Sequence, residues 1–162
     1  MIPMCALTWM CTSCNTSGCT DNKSSIPLAG FYSYSDLKSV SVRNVSIGGV
    51  GAPNDSLLLS NGTESQIYLP FRSSQDVTSF FFHYHDLEVE EDPFDDLNDT
   101  ITFHYTRLPY FESEECGAMF RYIVNEFSYT RHLIDSVSLV DSVITNADIE
   151  SIKIYFHTST EQ

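Results

Sequence analysis

The stretch Val77–His85, VTSFFFHYH, places Phe80, Phe82 and Tyr84 on one face and Phe81, His83 and His85 on the other. A repeat of two is the period of a pleated strand, whereas the faces of a helix recur at about 3.6 residues. Asp99–Thr106, DTITFHYT, does the same: Ile101, Phe103 and Tyr105 point one way, Thr102, His104 and Thr106 the other. Aromatic and β-branched residues favour half-buried sheet surfaces, so the two segments are predicted to pair antiparallel. The same alternation marks strands at Leu28–Tyr34, Val40–Ile47, Ser56–Ser60, Ser65–Phe71, Leu133–Val140 and Ile149–Thr158. In the last of these, Ile152, Ile154 and Phe156 are predicted to face inward. Ala118–Thr130 is long enough for one bent strand, and its apolar face slips by one residue near Val124–Glu126, which predicts a bulge. Ser35-Asp36 reads as a turn joining the first two strands. Asn61-Gly62 reads as a two-residue hairpin, because both residues accept a positive φ. Helix is scarce, with room for one turn around Asn146–Ile149. About eight short strands in a chain of 162 residues predict a mostly β protein. The expected architecture is a single antiparallel β-sandwich, immunoglobulin-like, over residues 28–158, with little helix.

Charge narrows the choice of partner. The chain has 22 Asp and Glu against 8 Lys and Arg, a formal net charge of −14. Such a surface repels phosphate backbones, which argues against nucleic acid as a partner and leaves basic proteins and divalent cations open.

Three features invite a chemical reading. Gly48-Gly49-Val50-Gly51 follows a strand but leads through Ala52-Pro53-Asn54-Asp55 into another strand. A phosphate cradle needs a helix N-terminus there, so this is read as a loop. His83 and His85 share a strand face, and His104 lies opposite them if the register allows, a set able to bind zinc or copper. The competing reading is a solvated sheet face. The acidic loop, DLEVEEDPFDDLND (Asp86–Asp99), carries eight carboxylates in fourteen residues, enough oxygens for calcium. Its spacing lacks the glycine and closing Glu of an EF-hand, so a solvated loop is the reading preferred. There is no Gly-x-Ser-x-Gly, no His-Glu-x-x-His and no glycine-framed cysteine. The expectation is a protein that is not an enzyme and has no cofactor. Phe71, Phe94, Tyr110 and Phe111 are expected to offer apolar contacts to a protein partner.

Residues 1–13, MIPMCALTWMCTS, carry no charge and are apolar or small, like the hydrophobic part of a secretory signal. A signal of this kind begins with Lys or Arg. The region after Met1 has neither, so Met1 is read as an internal methionine of a longer chain. Cys11-x2-Cys14 is one metal-like pair without a second to complete four ligands. Thr12-Ser13-Cys14 instead resembles the end of a bacterial lipobox, although Cys11 stands where that motif usually has an aliphatic residue. Cys14 would then be lipidated and residues 14–27 would form the tether. With Cys5 and Cys11 removed alongside the signal, Cys19 and Cys116 remain as an even pair, which suggests a disulfide in an oxidising compartment.

With "CTSC", the early Cys19, "LAGFYSY", "IYLPF", "ITFHYT" and "ECGAMF", the chain resembles an uncharacterised family of small Bacteroidetes cell-envelope lipoproteins. Asp-Ser/Thr followed by an aliphatic residue recurs at Asp55, Asp99, Asp135 and Asp141, and resembles the O-glycosylation site of envelope proteins in that phylum. The resemblance implies a mostly β domain anchored by an acyl chain in outer-membrane lipid, with Cys19 and Cys116 paired. Surface-exposed members carry acidic residues directly after the lipidated cysteine. Here Asn15-Thr16-Ser17-Gly18 follow it, which implies a periplasm-facing protein. The function expected is that of a non-catalytic accessory or interaction subunit of an envelope complex. A metal- or calcium-binding envelope module is the alternative.

Overall fold

The structure is a computed structural model in which residues 24–85, 98–114 and 116–157 are described. Among these residues ten strands run in the order β1 (Leu28–Ser33), β2 (Val42–Gly49), β3 (Leu57–Glu64), β4 (Gln66–Tyr68), β5 (Val77–Tyr84), β6 (Asp99–Ser113), β7 (Gly117–Tyr129), β8 (Ile134–Leu139), β9 (Val143–Ile144) and β10 (Glu150–Phe156). A 3-10 turn, Pro53–Asp55, lies between β2 and β3, and among the described residues no helix is long and apolar enough to cross a membrane. The strands form a four-stranded sheet, β4-β1-β10-β8, packed on a six-stranded sheet, β3-β2-β5-β6-β7-β9. The sandwich foreseen from the alternation is therefore present, with two more strands than expected.

Burial follows the period of two. Phe80, Phe82 and Tyr84 from β5 and Ile101, Phe103 and Tyr105 from β6 are buried between the sheets. Phe31, Ile152, Ile154 and Phe156 meet them from the smaller sheet. Aromatic rings dominate the contact: Phe31 meets Phe156 edge-on at 5.3 Å, and Phe82 packs against Phe31 at 6.4 Å. Edge-to-face geometry sets the positive rim of one ring against the negative face of the next. β5 and β6 pair antiparallel from Val77↔His104 to Phe82↔Asp99.

The bulge in β7 lies where the slip in the apolar pattern put it. His104 pairs with Glu126 and Tyr105 with Val124, leaving Asn125 as the extra residue. Tyr122 and Val124 are buried on one side of it, and Phe127 and Tyr129 pack against the core on the other.

One turn reading is corrected. Asn61-Gly62 does not reverse the chain but lies inside β3. Residues on both sides of it pair with β2, Leu59 with Ile47 and Glu64 with Val42. Between Ile47↔Leu59 and Val45↔Gly62 the ladder holds one extra residue on β3. Asn61, at φ 41°, absorbs it with its amide bonded to Ser46 Oγ at 2.9 Å. Asn44, at φ 50°, accompanies the return slip on β2. The positive φ that makes Asn-Gly a hairpin signal serves a bulge equally well. Ser35-Asp36 lies in the turn after β1 as expected, but the two strands on either side belong to different sheets. β1 belongs to the small sheet, paired parallel with β10, while β2 belongs to the large one. The chain changes sheets again at Ser65, whose carbonyl accepts the Phe31 amide at 2.8 Å.

Asp99, the last residue of the acidic run, is fully buried. Its carboxylate accepts the Tyr84 hydroxyl at 2.9 Å and the Thr130 hydroxyl at 2.8 Å. It also accepts the amides of His132, Leu133 and Ile134, each at 2.9 Å. A buried charge is tolerated when its lone pairs are filled, and these five donors fill them. The contacts join β6 of the large sheet to the crossover that begins β8 of the small one. Asp99→Ala is expected to lower stability by about 3–5 kcal/mol, since each stranded buried donor costs about 1–3 kcal/mol. Glu112→Ala, at an exposed position, should stay within about 0.5 kcal/mol. Urea denaturation of both variants checks the contrast.

Candidate functional site

The three histidines read from the sequence divide between two places. His83, on the outer face of β5, and His85, just past the strand's end, have ring centroids 4.6 Å apart and planes at 85°. His83 Nδ1 is 2.8 Å from Asn98 Oδ1, and His85 Nε2 is 2.8 Å from Ser46 Oγ. His104 pairs with Val77 at the other end of the β5–β6 ladder and borders a different groove. The three-histidine site is thus not assembled, because the register offsets β6 against β5. Among the described residues no group of three or more His, Cys, Asp or Glu could hold a metal ion. The acidic stretch at 86–97, including Phe94, lies outside the described residues.

The groove at His104 measures about 550 Å³ and is bordered by Asp76, Thr106, Arg107 and Asn125. Arg107 Nε donates to Asp76 Oδ1 at 2.7 Å and its terminal nitrogen to the Ser73 carbonyl at 2.6 Å. Asn125, the bulge residue, donates to Thr106 Oγ1 at 2.9 Å. The polar groups of this groove therefore bond to one another. Their immediate effect is to fasten the loop before β5 to β6.

Of the apolar contact candidates, Phe71 is corrected. It is buried, stacked on Tyr105 at 4.5 Å with an interplanar angle of 3°, and meets Tyr122 edge-on at 5.5 Å. The polar tip of Tyr105 holds the Phe71–Arg72 segment in place. Its hydroxyl donates to the Arg72 carbonyl, accepts the Arg72 amide, each at 3.0 Å, and bonds Thr78 Oγ1 at 2.7 Å. The sequence pattern placed Phe71 at the end of a strand, but no signal in it revealed a waiting tyrosine ring. Tyr110 is half-buried, beneath the Arg121 guanidinium at 4.6 Å, with its hydroxyl donating to Met119 Sδ and Asn146. Phe111 is 66% exposed.

Phe111 stands on the β6–β7 hairpin, which closes at Ser113–Gly117. Cys116 lies in that turn, its amide bonded to Ser113 Oγ, and it is disulfide-bonded. Cys14 and Cys19 lie outside the described residues. The described chain enters beside this hairpin: Ser25 Oγ is 4.0 Å from Met119 Sδ. Ser24 and Ile26 help line a cleft of about 390 Å³ with Pro70, Met119 and Phe120.

Exposed large apolar side chains gather at the same end. Val50, Val140 and Ile149, in loops, and Leu108 and Phe111, on β6 toward its hairpin, are exposed there, at the end where the described chain enters. The opposite end carries Tyr34 and Leu37, together with the ends of β5 and β6 that flank the acidic stretch.

Two predictions come from these environments. Phe71→Ala should destabilise the fold by about 3–5 kcal/mol, as for other buried aromatic truncations, in chemical denaturation. Four tyrosines hold their protons more tightly than the usual value of 10.0. Burial raises Tyr84, with the Asp99 charge and hydrogen bond adding to it; burial also raises Tyr105 and Tyr122. For Tyr32 the hydrogen bond to Glu150 acts first, then burial. A phenol raised in the folded state contributes its full stability below the ordinary value, and loses it as the unfolded chain ionises above about pH 10. The urea midpoint should therefore fall between about pH 9 and pH 11. The fall should be shallower in Tyr84→Phe, which starts from a lower midpoint.

Comparison with known proteins finds no curated protein and no solved structure that matches. One family model matches residues 44–156, from within β2 to the end of β10. On that match, covering most of the sandwich, the chain belongs to the family of unknown function DUF6452.

Proposed function

We propose that this chain is a Bacteroidetes envelope lipoprotein, held by an acyl chain on Cys14 in the outer membrane and facing the periplasm. It acts as a non-catalytic interaction subunit of an envelope complex. The observation that carries the reading is the gathering of exposed apolar side chains at the end where the chain enters the sandwich. An anchor just upstream of Ser24 directs that end toward the bilayer and toward any membrane-embedded partner. Exposed apolar surface at one pole of an otherwise acidic molecule suits contact with an apolar partner surface. The disulfide at Cys116 fits an oxidising compartment, and we assign Cys19 as its partner. That bond ties the tether to the β6–β7 turn, so anchor and hairpin are held together. The charge of −14 disfavours nucleic acid.

The test has two parts. The N-terminal peptide of the membrane-extracted protein should begin at Cys14 and carry acyl mass. An unmodified peptide that includes Met1 overturns the anchor. A photoactivatable residue in place of Phe111 should crosslink reproducibly to a membrane-fraction protein, whereas one in place of Leu37, at the far end, should not. Equal yields from both positions, or none from either, overturn the interaction role.

A further inference from the structure

We propose that His83 and His85 form a two-imidazole chelate for a nitrogen-seeking divalent cation, of which Cu²⁺ is the best fit. His83 projects from the outer face of β5, and His85, one residue past the strand's end at Tyr84, brings its ring beside it on the outer surface of the large sheet. Each ring has one nitrogen engaged by a neighbouring side chain. Asn98 Oδ1, an acceptor, sits 2.8 Å from His83 Nδ1, which places the proton on Nδ1 and a lone pair on Nε2. Ser46 Oγ already accepts the Asn61 amide, and it retains a lone pair for a proton on His85 Nε2. In the proposed site His85 carries its proton on Nε2, donated to Ser46 Oγ, which leaves its lone pair on Nδ1. Metal-binding histidines are commonly set in this way, with the far nitrogen bonded to a fixed group that selects the tautomer.

The spacing suits the chemistry. A metal–nitrogen bond of about 2.0–2.1 Å puts the ion about 3.2 Å from each ring centre. Two cis ligands at a right angle then have centroids about 4.5 Å apart, against the 4.6 Å observed. A right angle is the preference of tetragonal Cu²⁺, with water completing the sphere. Calcium, which requires six to eight oxygens, is a poor fit to two imidazoles. The bulge residue Asn61 enters through Ser46, so the local irregularity of β3 becomes part of the support for the site. This site stands apart from the anchored end and does not depend on lipidation.

The experiment titrates untagged full-length protein with Cu²⁺ in glycine buffer, followed by calorimetry and electron paramagnetic resonance. One equivalent should bind with two-nitrogen hyperfine structure, and binding should weaken in acid, where protons compete with the metal for imidazole. His83→Gln should weaken binding at least tenfold while leaving the Ser46–His85 contact in place; His85→Gln should do the same. His104→Gln should leave it unchanged. If His85→Gln does not fold, His83→Gln alone decides the matter. Absence of a two-nitrogen signal, equal affinity in His83→Gln, or an equal loss in His104→Gln overturns the proposal.

Discussion

The carboxylate of Asp99 stands at the first residue of β6 and receives the backbone of the crossover that starts β8. In a two-layer β protein the layers are joined by contact between side chains and by a few segments that pass from one layer to the other. Those segments are awkward, because amides leave one ladder before entering the next and become buried on the way. Asp99 gathers three such amides around one charge, and the hydroxyls of Tyr84 and Thr130 complete its shell. The position of the small sheet relative to β5 and β6 is thereby set by directional bonds, to which the rings of Phe31, Phe82 and Phe156 add non-directional packing. The geometry leaves little freedom: moving the crossover by one residue would take an amide away from the charge.

Much of this fold was legible as alternation. The pairing of β5 with β6, the inward set of Ile152, Ile154 and Phe156, and the bulge at Asn125 all follow from counting which residues share a face. What alternation lacks is register and layer. Asp99 ended a run of acidic residues and looked like its neighbours, because a buried carboxylate differs from an exposed one only in the donors that tertiary structure brings to it. Asn61-Gly62 announced positive φ, yet the choice between turn and bulge belonged to β2, whose length lets both halves of β3 pair with it. His104 fell on the predicted face and still missed its partners, since a strand offset changes distance along the ladder without changing the side from which a residue projects. Phe71 was apolar at a strand end, where exposure and burial are equally compatible with the sequence.

The outer surface divides in a way that the interior does not. One pole combines chain entry, the Cys116 turn and exposed aliphatic and aromatic residues, and the other flanks the acidic stretch. Along the side between the poles, the outer face of the large sheet carries Phe81, Ser79 and Thr102. The two hydroxyls bond each other at 2.7 Å, and Phe81 lies over Gly48 so closely that a Cβ there would approach its ring to 2.7 Å. A glycine at position 48 thus makes room for the Phe81 ring on this flank of the sheet.

The parallel pairing of β1 with β10 carries a consequence for how the molecule comes into being. The two central strands of the small sheet are the first and the last of the described strands, registered from Leu28↔Glu150 to Ser33↔Phe156. During synthesis from the N-terminus, β1 must wait without its principal neighbour until the rest of the described sandwich has emerged, and β8 waits for the same neighbour. The six-stranded layer can assemble early, presenting bare rings of Phe80, Phe82 and Phe103 to whatever surrounds it. Closure of such distant contacts is slow. The interval before β10 arrives is therefore when this sequence is most open to aggregation, and to any helper that shields aromatic surface.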